Sequence, residues 1–165
     1  MKRRHLLHAA AGLPLAGLSP YAGADLRPAV PGERVHWPPD ITLLDGSPWA
    51  PRPGVATVVV FWSTTCPFCK RHNVHVEKLQ RSAAGPRLAV LGVARDRDPA
   101  VVQRHLAATG LSFPVTMAYK PLAAALSTRN VIPLTITVDR DGRLRQVIPG
   151  EMFEEDVLEL ARLAE

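Results

Sequence analysis

The apolar residues of this chain come in short dense runs separated by polar segments that begin with proline. VATVVVFW (55–62) and RLAVLGVA (87–94) are continuously apolar and largely β-branched, as strands buried on both faces should be. Between them, the stretch from Pro67 to about Ser82 brings Cys69, Val76, Leu79 and Ala83 near one face of a predicted helix. Pro67 suits its first position, where a missing N–H costs nothing. Pro99 opens a second predicted helix running to about Thr109, with Gly110 as its stop. FPVTM (113–117) predicts a short strand, and residues 121–127 a short helix starting at Pro121. LTITV (134–138), the turn Asp139-Arg140-Asp141-Gly142 and RLRQVI (143–148) predict a hairpin. Residues 153–163 predict a last helix, with Glu154, Glu155 and Asp156 in its first turn, where the helix dipole favours acids. Upstream, ITLLDGSPW (41–49) reads as a short strand and a turn at Asp45-Gly46. Strands alternating with helices imply an α/β fold, a mixed and mainly parallel sheet covered by helices.

Composition changes this picture mostly at the front. The 165 residues correspond to one domain plus extras. Residues 25–39 (DLRPAVPGERVHWPP) are proline-rich and lack a period, as expected of a linker leading into a domain at 40–165. The first 24 residues have a positive start, an apolar middle from Leu6 to Leu18, and an Ala22-Gly23-Ala24 ending, the pattern of a cleaved signal peptide. The apolar run is too short for a membrane span, which needs about 20 residues. Pro14 argues against the alternative, an amphipathic helix of the folded domain. RRHLL also resembles a twin-arginine signal, so Sec and twin-arginine export both remain open. Either route leads to the periplasm, where disulfides persist, with membrane contact only during export.

The signal also accounts for part of the charge. Setting Lys2, Arg3 and Arg4 aside lowers Lys and Arg from 20 to 17, against 15 Asp and Glu. No basic stripe interleaved with aromatics remains, so nucleic acid is not an expected partner.

The two cysteines, Cys66 and Cys69, sit in FWSTTCPFCKRH (61–72), where the first buried strand hands into a helix. A helix start offers unpaired N–H groups and partial positive charge, and Lys70, Arg71 and His72 add cations within about a turn. Both effects favour a thiolate, the attacking species in disulfide exchange. Cys66 at the cap position suits the attacking role. Cys69, one turn in and facing the core, suits the resolving role that breaks a mixed disulfide. A purely structural disulfide is a poor reading, because loop-entropy stabilisation is least for so short a loop. A metal site is the sharper rival, since the spacing continues to His72 and His75. On one helix, however, these four side chains fan over about 180°, and no second CxxC is present to complete a zinc site. Two thiolates could still hold Cu(I), as in a copper chaperone.

The chain resembles the thioredoxin superfamily, specifically the exported TlpA-like thioredoxins. VVVFWSTTCPFCK is similar to their strand, Phe-Trp, CxxC and helix core, and NVIPLTITVDRDGRL (130–144) to the later stretch in which a cis proline precedes a strand. The 38 residues at 95–132 leave room for the extra helix and strand of that group. The resemblance implies a thioredoxin-like mixed sheet flanked by helices and a thiol–disulfide oxidoreductase that needs no cofactor. Its partners would be protein thiols and disulfides. It implies that Pro133 is cis and catalytic, that the Ile132 backbone aligns the substrate strand, and that Trp62 lies beside the disulfide and contacts substrate, with a plain core aromatic as the alternative for Trp62. It favours a reductase, which in an oxidising compartment needs a membrane electron donor.

This sequence departs from the pattern at four positions. Thr65 replaces the usual tryptophan, Val60 stands where ordinary thioredoxins bury an Asp, Pro67 follows the first cysteine rather than adjoining the second, and Phe68 completes the dipeptide. Cys-Pro-x-Cys is also similar to the strong disulfide oxidants, so an oxidant stays open beside the reductase. Trp37 and Trp49 are expected to pack at the domain edge, His72 to lie on the helix flank, and His75 to be solvated.

Overall fold

The computed structural model describes residues 27–127 and 129–165, so the expected signal peptide lies outside the described residues. Seven strands and four helices follow in the order β1 (Ile41–Thr42), β2 (Pro48–Trp49), β3 (Ala56–Trp62), α1 (Pro67–Ala83), β4 (Leu88–Ala94), α2 (Pro99–Thr109), β5 (Val115–Thr116), α3 (Tyr119–Leu126), β6 (Leu134–Val138), β7 (Leu144–Pro149) and α4 (Glu154–Glu159). A 3-10 segment, Leu160–Ala164, continues α4, so the expected single helix tightens in its last turns. Tyr119 starts α3 two residues before the expected Pro121. A proline fits there because the first turn of a helix has no internal acceptors for its N–H groups. Leu122 is the first to donate, to the Ala118 carbonyl.

The central sheet has the order β5-β4-β3-β6-β7, with β3, β4 and β5 parallel and β6 and β7 antiparallel. It is the mixed α/β sheet flanked by helices that the sequence implied, and α2 with β5 supplies the extra helix and strand. Side chains along a strand alternate between faces. Val58, Val60 and Trp62 therefore meet Cys69, Val76 and Leu79 of α1, Val102 of α2 and Val157 of α4. Val59 and Phe61 point the other way, against Leu122 and Leu126 of α3. Trp37 and Trp49 pack at a tilt at the margin of this second layer, ring centres 5.3 Å apart and planes inclined by 60°.

The front of the chain is laid along both outer strands. Gly32 and Val35 donate to the carbonyls of Leu144 and Gly142, and Leu144 donates back to Glu33, beside β7. Leu44 donates to Val115 of β5. The proline-rich segment thus carries a buried side chain, Val35.

Gly92 marks the tightest point of the core. A Cβ there would lie 2.7 Å from Phe113 Cε2 and 3.0 Å from Val115 Cγ2. Gly92→Ala is expected to destabilise the domain by about 1–3 kcal/mol through overpacking. Chemical denaturation should show a lower midpoint at unchanged slope, and an unchanged midpoint would mean that the ring of Phe113 moves aside freely.

Candidate active site

The site is assembled where β3 ends. Residues 63–65 turn away from the sheet, and Cys66 caps α1 in an extended conformation (φ −85°, ψ 114°) with Pro67 following. Cys66 Sγ accepts the Cys69 backbone N–H at 3.1 Å, one of the unpaired donors of a helix start. The two cysteines are joined in a disulfide with Cα atoms 5.2 Å apart. Cys66 is half-buried, while Cys69 has no exposed surface and packs with Val60, Trp62 and Val76. Of the pair, only Cys66 keeps any exposed surface.

Opposite the sulfurs stands the turn before β6. The Ile132–Pro133 bond is cis. The Ile132 carbonyl oxygen lies 3.9 Å from Cys66 Sγ, and the Pro133 carbonyl accepts the Gly150 N–H at 2.8 Å. Pro133 is buried and Ile132 is half-exposed. Trp62 has no exposed surface, with its ring between His105 and Phe113. It therefore sits beneath the pair as a core residue and presents no surface to a substrate, unlike the contact implied by the resemblance.

His72 departs from the expected flank position. It is fully buried, one helical turn beyond Cys69. Its Nδ1 accepts the Met152 N–H at 3.3 Å, which places the ring proton on Nε2, 2.9 Å from Thr135 Oγ1. The imidazole thus ties α1 to β6, two residues past Pro133, and to the segment before α4. Burial above all, and then the nearby His75, push its pKa down to about 4, against the opposing pull of Glu151. Its buried environment holds the ring neutral. His75, expected in solvent, is only partly exposed, with Nδ1 3.3 Å from the Met152 carbonyl. With both His72 nitrogens engaged, the Cys-Cys-His-His spacing does not converge on one point.

Two further features were not foreseen. Asp96, at the carboxyl end of β4, accepts the Thr64 N–H (3.1 Å) and hydroxyl (2.5 Å), and so fixes the turn before Cys66. The end of a parallel strand next to the CxxC strand is a place where site residues gather, and DRD at 96–98 was the available signal. Arg71 makes a two-point contact with Glu151 (2.8 and 2.5 Å), its guanidinium 5.0 Å from the ring centre of the exposed Phe68. That pairing joins residues 80 positions apart and leaves no local trace in the sequence.

A family profile described as Redoxin matches residues 44–163, well over half of the chain. The chain belongs to the redoxin family. This redoxin domain is 29% identical over 110 residues to the thiol-disulfide oxidoreductase ResA of Halalkalibacterium halodurans, covering 67% of this chain and 62% of that protein. The chain thus matches somewhat under two thirds of the length of that curated relative. Among solved structures, a thioredoxin-family thiol:disulfide interchange protein of Chlorobium tepidum superposes with a TM-score of 0.69 at 24% identity, covering 86% of this chain and 99% of that one. StoA of Bacillus subtilis gives 0.66 at 22% identity, with 81% and 98% covered. The fold of this redoxin is therefore the thioredoxin fold, and the TlpA-like resemblance of the sequence is borne out.

Proposed function

We propose that this redoxin is a periplasmic thiol–disulfide oxidoreductase acting as a TlpA-like disulfide reductase. The observation that carries the reading is the half-buried sulfur of Cys66 at a helix start, 3.9 Å from the Ile132 carbonyl beside Pro133. In the reduced protein the Cys66 thiolate is stabilised by the Cys69 N–H and the helix dipole. It attacks one sulfur of a substrate disulfide and expels the other as a thiolate. Cys69 then attacks Cys66 Sγ, which releases the substrate reduced and restores the Cys66–Cys69 disulfide. The Ile132 backbone receives an extended substrate segment as an added strand, with Pro133 holding that backbone in place. Electrons return to the pair from a membrane donor. The names of the relatives and the signal-like first 24 residues support this reading and its location. Among the described residues no helix is long and apolar enough to cross a membrane.

The direction of flow is tested by the reduction potential of the pair, measured against glutathione or dithiothreitol. A reductase is expected nearer the roughly −270 mV of thioredoxin than the roughly −120 mV of a strong oxidant. A value at the oxidising end would instead assign the protein to the disulfide-forming role that Cys-Pro-Phe-Cys also allows.

A further inference from the structure

The carboxyl ends of β3, β4 and β5 and the amino end of β6 lie at one edge of the sheet. One of the segments that leave this edge carries Cys66, and the segment before β6 brings the Ile132 carbonyl to it. These segments carry Lys70, Arg95, Arg97, Lys120 and Arg129, all exposed. None of the five forms an ion pair with a described carboxylate, whereas Lys78, Arg81, Arg145 and Arg162 elsewhere do. Arg95 rests only on a ring face, that of Tyr119 at 5.3 Å. Three acids share this edge and keep their charge, so six cations, Arg71 included, leave it with a positive excess. Asp96 accepts from Thr64, Asp98 accepts the Ala100 N–H at the start of α2, and Glu151 holds Arg71. Two large apolar side chains, Phe68 (55% exposed) and Val131 (39%), stand on the same edge beside Cys66 and Ile132.

We propose that this edge is the docking surface for an acidic, extended polypeptide, one whose disulfide is flanked by Asp or Glu, so that charge selects the substrate of Cys66. The inference rests on the thiol–disulfide reading above. Unpaired cations around a reactive centre raise the encounter rate of an anionic partner and disfavour a cationic one. The exchange itself is unchanged. The substrate disulfide gains two electrons and two protons from the Cys66 and Cys69 thiols, which become the intramolecular disulfide.

The test is a single-turnover assay with pre-reduced full-length protein and no other reductant present. Its substrates are two disulfide-linked peptides that differ only in glutamates or lysines beside the cysteine, and a neutral small disulfide, 2,2′-dithiodipyridine. Each peptide rate is divided by that peptide's own rate with dithiothreitol, which removes the effect of the flanking charge on the sulfur. At low ionic strength the glutamate peptide is expected to react about tenfold faster, a ratio that collapses toward one at about 1 M salt, where the screening length is ~3 Å. Arg95→Glu combined with Arg129→Glu should reverse the preference, while Arg87→Glu at the opposite edge should leave it intact. Equal rates for both peptides at low salt, with normal reaction toward the neutral disulfide, would overturn the docking surface alone. Failure to react with the neutral disulfide would remove the redox reading and this inference with it.

Discussion

Serine at position 69 should turn this protein into a trap. Cys69→Ser leaves the half-buried Cys66 able to attack but removes the thiol that would release the product, so covalent adducts with substrate proteins accumulate. Cys66→Ser should capture none, because the remaining sulfur at position 69 has no exposed surface. Both variants should lose multiple-turnover disulfide reduction essentially completely, since each removes one half of a two-electron pair. Non-reducing electrophoresis of the two variants after mixing with periplasmic extract, repeated after adding dithiothreitol, reads the difference. Equal trapping by both, together with equal alkylation rates of the two thiols, would refute the division of roles.

The second large effect is an acid weakness located at His72. The ring is buried and neutral in the fold, with a pKa lowered to about 4 from an ordinary 6.5. Above pH 6.5 it is neutral whether folded or not, and its interactions contribute in full. As the pH falls from 6.5 to 4 the unfolded chain takes a proton that the folded protein refuses, so stability drains away across that window. A separation of that size is worth about 3 kcal/mol by pH 4. His72→Gln keeps a donor and an acceptor without the titration. Denaturant unfolding at constant redox state should fall more steeply between pH 6.5 and 4.5 for the native protein than for the variant. Parallel pH profiles would show that His72 is not the source. The paired carboxylates Glu151 and Glu154, whose pKa values are lowered from 4.5, begin to lose their contribution only as the pH falls to about 4.5, at the bottom of this window.

The contrast between Cys69 and His72 shows what the sequence made legible. Both lie on α1 and both are buried, yet only Cys69 belongs to the apolar spacing that defines the inward face. His72 is buried because Thr135 and the Met152 N–H, 63 and 80 positions away, satisfy its two nitrogens, and helical periodicity carries no information about such partners. Helix α2 was readable because its signals are local, from Pro99 at one end to Gly110 in the left-handed region at the other. Pro121 does not fix the start of α3, which lies at Tyr119, because a helix tolerates proline throughout its first turn. The Cys66 and Cys69 placement was visible because strand, cap and motif adjoin in sequence, and the turn at Pro133 through the resemblance of NVIPLTITVDRDGRL to the thioredoxin-like stretch. Asp96 and the Arg71–Glu151 contact were not, because they exist only once β4 and the end of β7 are brought beside α1.

The segments laid along β5 and β7 have a consequence for how this protein meets others. An outer strand with unpaired N–H and C=O groups invites another chain to pair with it, and so seeds aggregation. Here residues 32–35 engage the amino-terminal part of β7, and residues 43–44 engage β5. Strand-like pairing from outside is thereby hindered along those parts of the sheet's margins, while the backbone at Ile132 is left uncovered by them. Under the proposed function, a passing chain then pairs where its disulfide can be exchanged.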